Sequence, residues 1–273
     1  MTVTSLATAP RPWAEFPAAA ARGVVGVLTD IDDTLTTAGR ITPDALAALA
    51  QLKATGLHVI AITGRPMGWS EPFARAWPID AIVAENGAVA LFREGDTLRV
   101  EYAQDDATRA RNAVRLREVA ACVLREVPGT TLARDSAGRV TDIAIDHAEF
   151  AQLTQAQIDA VVKVMTREGM NATVSSIHIN GWFGEHTKLS GARWIVQRLF
   201  GLALDAQRWV YVGDSTNDQL MFDHFPHCVG VANLMAFADV LTVWPNYITQ
   251  AARGAGFAEV ARALIGAREH TGR

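Results

Sequence analysis

Val24-Val25-Gly26-Val27-Leu28-Thr29-Asp30-Ile31-Asp32-Asp33-Thr34-Leu35-Thr36 is the stretch on which the fold turns: an apolar, β-branched run that ends abruptly in three carboxylates and a threonine pair. A run this short, bounded by polar residues, reads as a buried strand from a parallel sheet. Its carboxylates then stand at the C-terminal tip, the edge at which open α/β sheets bind ligands. Three acids within four residues repel one another unless a cation or proton compensates, and a divalent metal is the simplest compensation. Asp is also a common turn and N-cap residue, so the fragment alone leaves metal site and helix cap both open.

Working outward, Thr42-Pro43-Asp44 offers an N-cap followed by proline at the first helical position, and the apolar spacing of Ala45, Leu46, Ala48, Leu49 and Leu52 continues a helix that Gly56 stops. A second buried strand over 57–62 ends in Thr63-Gly64-Arg65-Pro66. Strand, helix and strand form a βαβ unit, whose strands run parallel with their tips at one edge. A helix with Trp69 and Trp77 at its ends leads to a third strand over 81–84, ending in Glu85-Asn86-Gly87. From Val89 the pattern changes to period two around a turn at Glu94-Gly95-Asp96, which predicts a hairpin and the start of an antiparallel insertion. The insertion continues with helices over 106–127 and 154–169 and strands over 131–134, 140–146 and 171–180, a small α+β layer of its own. The βα pattern returns with a helix over 188–200, a strand over 209–212 ending in Gly213-Asp214-Ser215-Thr216-Asn217-Asp218, a strand over 228–232 and a final helix over 258–267.

The composition bounds the function classes. The chain has 273 residues, 49% hydrophobic and 20% charged, enough for one large domain or two ordinary ones around a sizeable core. A formal net charge of -4 supplies no electrostatic drive toward nucleic acid or an anionic membrane, and no span is apolar and long enough to cross a bilayer. Cys122 and Cys228 lack the spacing of a zinc site or redox pair and read as buried free thiols in a reducing compartment, so the expected location is cytoplasmic. Residues 1–22, interrupted by Pro10, Pro12 and Pro17, are expected to form a loosely ordered arm.

Four polar clusters fall at the ends of core elements: Asp30/Asp32/Asp33, Thr63/Arg65, Lys188 and Asp214/Asn217/Asp218. Singly they are turns, caps or a solvated lysine; jointly, parallel strands carry them to one crevice suited to a metal and a phosphate. In this order and spacing, Asp30-Ile31-Asp32-Asp33-Thr34-Leu35, Thr63, Lys188 and Gly213-Asp214-Ser215-Thr216-Asn217-Asp218 resemble the four motifs of the haloacid dehalogenase (HAD) superfamily. The long insertion and Glu85-Asn86-Gly87-Ala88 resemble the type IIB subgroup, which includes Cof-like and sucrose-phosphate phosphatases. One departure is Asp33, where many relatives carry glycine.

The resemblance implies an α/β fold, a Rossmann-like HAD core with a parallel sheet over 23–87 and 185–273, and an inserted α+β (C2B-type) cap over 88–184. It implies a Mg²⁺-dependent phosphatase of a small phosphorylated metabolite, most simply a sugar phosphate, acting through an aspartyl-phosphate. Asp30 is the implied nucleophile and Asp32 the general acid/base; Asp30, the Asp32 carbonyl, Asp214 and Asp218 are the implied metal set. Thr63 and Lys188 are implied phosphoryl ligands. Gly64, Arg65, Asn86, His178 and Asn180 complete the substrate-binding candidates, with Trp182 beside the last two. A phosphomannomutase-like mutase is the alternative, for which the Arg109, Arg111, Arg115 and Arg117 run is a candidate second phosphate site, although on a helix these arginines spread around its faces. A non-catalytic phospho-ligand sensor is the remaining reading, opposed by an intact nucleophile and acid/base pair.

Overall fold

The computed structural model describes residues 9–269. In chain order its elements are β1 (Arg11–Pro12), α1 (Ala18–Gly23), β2 (Gly26–Thr29), β3 (Thr36–Thr37), β4 (Arg40–Ile41), α2 (Pro43–Ala54), β5 (His58–Ile62), α3 (Met67–Ala76) and β6 (Ala81–Ala84). There follow β7 (Val89–Glu94), β8 (Thr97–Tyr102), α4 (Asp106–Glu126), β9 (Thr131–Leu132), β10 (Asp142–Asp146), α5 (Gln155–Arg167), β11 (Asn171–Val174) and β12 (His178–Trp182). The last are α6 (Lys188–Phe200), β13 (Trp209–Gly213), α7 (Gln219–His224), β14 (Cys228–Gly230), β15 (Tyr247–Ile248) and α8 (Arg253–Glu269). The chain divides into two compact units, one formed by the residues up to Ile60 and from Leu204 onward, the other by Ala61–Ala203.

In the first unit the strands lie in the order β1-β15-β14-β13-β2-β5. The β1/β15, β15/β14, β14/β13 and β13/β2 pairs are all parallel. Every residue of β2 and β13 is buried, as a strand covered on both faces requires. Helix α2 begins as its sequence predicts, with Thr42 accepting from the Ala45 amide and Pro43 in the first turn, and it buries Ala45, Ala48, Leu49 and Leu52. Leu49 and Leu52 are fully buried, each a contribution of roughly 1.5–3 kcal/mol. Gly254, near the start of α8, allows close packing on this helix: a Cβ there would lie 1.9 Å from the Thr42 hydroxyl.

The expectation of an irregular arm fails over the described residues before Gly23. Arg11 and Pro12 pair in parallel with Tyr247 and Ile248, Trp13 is 2% exposed, and α1 follows. The prolines do not interfere because Pro12 lies in an edge strand and Pro17 is the residue just before the helix, positions that need no backbone donor from proline. Residues 1–8 of that arm lie outside the described residues.

In the second unit β6, β7 and β8 are neighbours, with β6/β7 and β7/β8 antiparallel. The hairpin expected to open a separate layer therefore pairs with the buried strand β6 instead. Val89, Ala90, Leu91 and Phe92 of β7 are buried, which drives the pairing. The separate layer is a four-stranded sheet in the order β11-β12-β10-β9, antiparallel throughout. The single strand expected over 171–180 is two, β11 and β12, turned at Ser175, whose hydroxyl accepts from the His178 amide. Leu116, Val119 and Val123 of α4, Val161, Val164 and Met165 of α5, and Ile145 and Ile179 of the sheet form one apolar cluster. Gly181 in β12 lets α5 approach, since a Cβ there would lie 2.7 Å from the Met165 sulfur. Cys228 is buried as expected, but Cys122 is only partly buried: it lies on α4 and its Sγ donates to Glu126 Oε1 at 2.9 Å. No described helix is long and apolar enough to cross a membrane.

Candidate active site

The parallel register of β2 and β13 pairs Leu28 with Tyr211 and Thr29 with Val212, so the residues that follow both strands emerge at one sheet edge. The Asp30 amide donates to the Val212 carbonyl at 2.8 Å, fastening the acidic loop to that edge. Asp30, Asp214 and Asp218 are 4%, 1% and 0% exposed, and each offers a carboxylate oxygen within 4.8 Å of the others. Three buried carboxylates this close repel one another, and together they offer an all-oxygen donor set of the kind that could hold a hard divalent cation.

Asp218 is the most firmly held of the three. One oxygen accepts from the Tyr211 hydroxyl; the other accepts from the amides of Asp214 at 2.9 Å and Ser215 at 3.2 Å. Burial, and then the negative field of Asp218, Asp30 and Asp214, push the Tyr211 phenol well above its ordinary 10, so it remains a donor. Gly213 is required by the same contact, since a Cβ would stand 2.4 Å from Asp218 Oδ2. Asp32 is also buried, on the loop after β2.

Asp33 has a defined partner. Its backbone is left-handed, with φ 53°, a conformation that glycine and Asp tolerate better than most residues, and its carboxylate accepts from Arg253 Nε at 2.8 Å. Asn233 links this pair to the cluster: its Nδ2 donates to the Asp33 carbonyl at 3.0 Å and to Asp214 Oδ2 at 3.1 Å, and its Oδ1 accepts from the Arg253 amide at 2.9 Å. Neither Asn233 nor Arg253 has a local sequence signal. Arg253 meets Asp33 across 220 positions of chain.

The second unit contains the remaining candidates. The Thr63 hydroxyl accepts from the Arg65 amide at 3.0 Å, and the Asn86 amide donates to the Thr63 carbonyl at 3.0 Å. Gly64 lies between two side-chain amides, its Cβ direction 3.2 Å from Asn180 Oδ1 and 3.3 Å from Asn86 Oδ1, and its carbonyl accepts from Asn180 Nδ2 and Arg139. Asn86 is 2% exposed and its buried Nδ2 lacks a hydrogen-bond partner among the described residues. Arg65 is bound to Glu149 at 2.7 Å and to Asp135 at 3.2 Å. His178, 2% exposed, also meets Glu149 at 2.9 Å, and Asn180, 1% exposed, donates to Asp142 at 3.0 Å. Burial works to raise the Glu149 carboxyl, but hydrogen bonds from His178 and Arg65 outweigh it and hold Glu149 at about 2.

Arg139, Asp135, Glu149 and Glu85 were not among the sequence candidates, and they organise this region. Arg139 binds Asp142 at 2.9 Å and Asp135 at 3.0 Å, and Glu85, fully buried, accepts from the amides of Met67, Val140 and Thr141. Lys188, 4% exposed, opens α6 behind a Thr187/Ser190 capping box. The arginine run on α4 is dispersed, with Arg109 over the Tyr102 ring, Arg115 over the Phe183 ring and Arg111 bonded to Thr108. Trp182 is 3% exposed, and its indole donates to the His186 carbonyl at 2.9 Å.

His186 yields a pH prediction. Both ring nitrogens are buried without a hydrogen-bond partner among the described residues, and burial lowers its pKa from 6.5 to about 4. A histidine depressed in the fold leaves stability intact above the unfolded value and loses it as pH falls through 6.5 toward about 4. Chemical denaturation across that window should show a loss approaching 3 kcal/mol that is absent in His186→Phe. Equal pH slopes in the two proteins would refute the assignment.

Residues 27–126 match the family of haloacid dehalogenase-like hydrolases. No curated protein matches the chain in sequence. Among solved structures, a Thermoplasma acidophilum protein is 14% identical with a TM-score of 0.68, covering 88% of this chain and 98% of its own. The sucrose-phosphatase of Synechocystis sp., solved with sucrose and phosphate, is 16% identical with a TM-score of 0.64, covering 89% and 98%. A HAD subclass IIB sugar phosphatase is 19% identical with a TM-score of 0.54, covering 91% and 99%. The chain has the haloacid dehalogenase fold.

Proposed function

We propose that this haloacid dehalogenase-type hydrolase is a Mg²⁺-dependent phosphatase of a small phosphorylated metabolite, a sugar phosphate or close relative. The observation that carries the reading is the buried Asp30, Asp214 and Asp218 cluster at the tip of parallel strands β2 and β13. The solved structures of similar fold include sugar phosphatases, which supports the same substrate class.

Asp30 and Asp214, with the Asp32 carbonyl, would hold the metal, and Asp218 would hold the Asp214 loop through the bonds described above. When bound, Mg²⁺ supplies charge neutralisation at a site where a carboxylate must approach a phosphate dianion. An Asp30 carboxylate oxygen forms the new bond to phosphorus as the ester P–O bond breaks. Asp32 gives its proton to the leaving alkoxide, then takes one from the water whose oxygen displaces Asp30 and releases phosphate. Thr63 and Lys188 are proposed phosphoryl ligands, with Gly64 and the unpartnered Asn86 amide beside Thr63. Arg65, His178 and Asn180, all engaged by protein groups, are proposed to shape the substrate side of the loop after β5. The inserted cap is proposed to be the four-stranded layer β9 to β12 with α4 and α5 packed on it.

The test is phosphate release by the purified protein from a panel of phosphate esters, with Mg²⁺ and with EDTA. Release that EDTA abolishes and Mg²⁺ restores is the expected result; no release from any ester overturns the reading. Acceleration by a sugar bisphosphate with transfer between sugar positions would identify a mutase instead.

A further inference from the structure

Strand β8 is the last strand of its sheet among the described residues, so one of its edges has no partner. Which backbone groups that edge presents follows from the pairing on its other side. In the antiparallel β7/β8 ladder Phe92 lies opposite Arg99 and Ala90 opposite Glu101, and the ladder runs on to Ala103, whose amide donates to the Ala88 carbonyl at 2.8 Å. Hydrogen-bonded pairs alternate along such a ladder, so Arg99 and Glu101, in step with Ala103, direct their N–H and C=O groups at β7. Leu98, Val100 and Tyr102 direct theirs outward.

The side chains of β8 alternate between two faces. Arg99 and Glu101 share one: Arg99 Nε donates to Glu94 at 2.7 Å, and Arg198 of α6 binds Glu101 at 2.8 Å. The Arg99 side chain is still 55% exposed, which leaves room for a second acceptor. Val100, 37% exposed, shares the other face with the partly buried Leu98 and Tyr102. An apolar residue on an unpaired edge invites an incoming strand unless charges repel it. Here the charges admit one partner. When a second β8 pairs antiparallel with Val100 opposite its own copy, outward-facing backbone groups meet outward-facing ones, Leu98 faces Tyr102, and Arg99 faces Glu101 at both ends. A shift of two residues in either direction sets Arg99 against Arg99 or Glu101 against Glu101, which like charges disfavour. Charge therefore selects a single register.

We propose that the free edge of β8 is an interface to a second copy of this chain, joined about a two-fold axis at Val100 so that the sheet runs on from one subunit into the other. Leu98, Val100 and Tyr102 supply the backbone bonds and an apolar strip. Arg99 and Glu101 of the two copies pair across the junction and link the Arg99–Glu94 and Arg198–Glu101 ion pairs of both subunits. A contact made by one pair of strands belongs with reversible rather than permanent association. The proposal is independent of the reading of the protein as a phosphatase.

Sedimentation velocity of the full chain between about 1 and 200 µM tests it, and the wild type is expected to pass from monomer toward dimer across that range. Arg99→Glu and Glu101→Arg should each weaken dimerisation by about 10- to 100-fold, because each sets like charges at both facing pairs. Mixed in equal amounts, the two variants should associate with each other, since every facing pair is then opposite in charge; native mass spectrometry identifies that heterodimer. Val100→Pro removes an outward N–H that the β7 pairing does not use, so the dimer should be lost while the thermal midpoint stays within about 3 °C of wild type. A wild type that is monomeric at about 200 µM overturns the proposal. So does a dimer that Val100→Pro or both charge variants retain within about threefold, or a failure of the folded charge variants to associate when mixed.

Discussion

Asp30→Asn should abolish phosphate release, by on the order of 10⁴-fold or more, while the protein remains folded. The amide is nearly isosteric with the carboxylate but is a poor nucleophile toward phosphorus, and it removes one negative charge from the cluster of Asp30, Asp214 and Asp218. Two readouts separate chemistry from folding. In the wild type, Mg²⁺ should raise the thermal midpoint because it binds the folded cluster preferentially; in Asp30→Asn that shift should shrink. The midpoint without metal should not fall, because the substitution relieves repulsion among buried like charges. Retention of a tenth or more of wild-type activity would mean that another group attacks phosphorus.

Arg139→Met should cost about 3–5 kcal/mol of stability, the largest effect expected outside the carboxylate cluster. The Arg139 side chain is 2% exposed and holds Asp142, Asp135 and the Gly64 carbonyl together, all within 3.2 Å. Methionine fills much of the volume but leaves Asp142 buried, with Asn180 as its remaining side-chain partner. Complete burial already pushes the Asp142 carboxyl up to about 7 against the pull of Arg139 and Asn180, so the loss should be smaller at low pH, where Asp142 is protonated. The double variant Arg139→Met/Asp142→Leu should recover much of the stability, since replacing both members of a buried pair is far less costly than orphaning one. Urea denaturation of the two single variants and the double variant measures this; a single variant within about 1 kcal/mol of wild type would show that the pair is solvated.

The legible part of the fold was local. The buried strands β2, β5 and β13, the Thr42-Pro43 start of α2 and the helices α5 and α6 are written in short stretches of hydrophobicity and capping chemistry. The order of residues 11–23 is hidden from the sequence because proline argues against regular structure in general, but not at an edge strand or just before a helix. The β7/β8 hairpin is legible as a hairpin at the start of the insertion, but its pairing with β6 is not, because alternation predicts a strand without naming its neighbour.

At the site, hydrophobic pattern alone puts Asp30 and Asp214 after buried parallel strands, and that ordering suffices to bring two carboxylates to one edge. It could not determine the supports. Asp33 has Arg253 as its partner, Asn233 ties that pair to Asp214, and Arg65 is held by Asp135 and Glu149. These side chains lie far apart along the chain and share no periodicity. Strand order follows from hydrophobic pattern and chain connectivity, whereas the partner of a buried charge is chosen by the low dielectric around it, which exists only once the tertiary structure has closed.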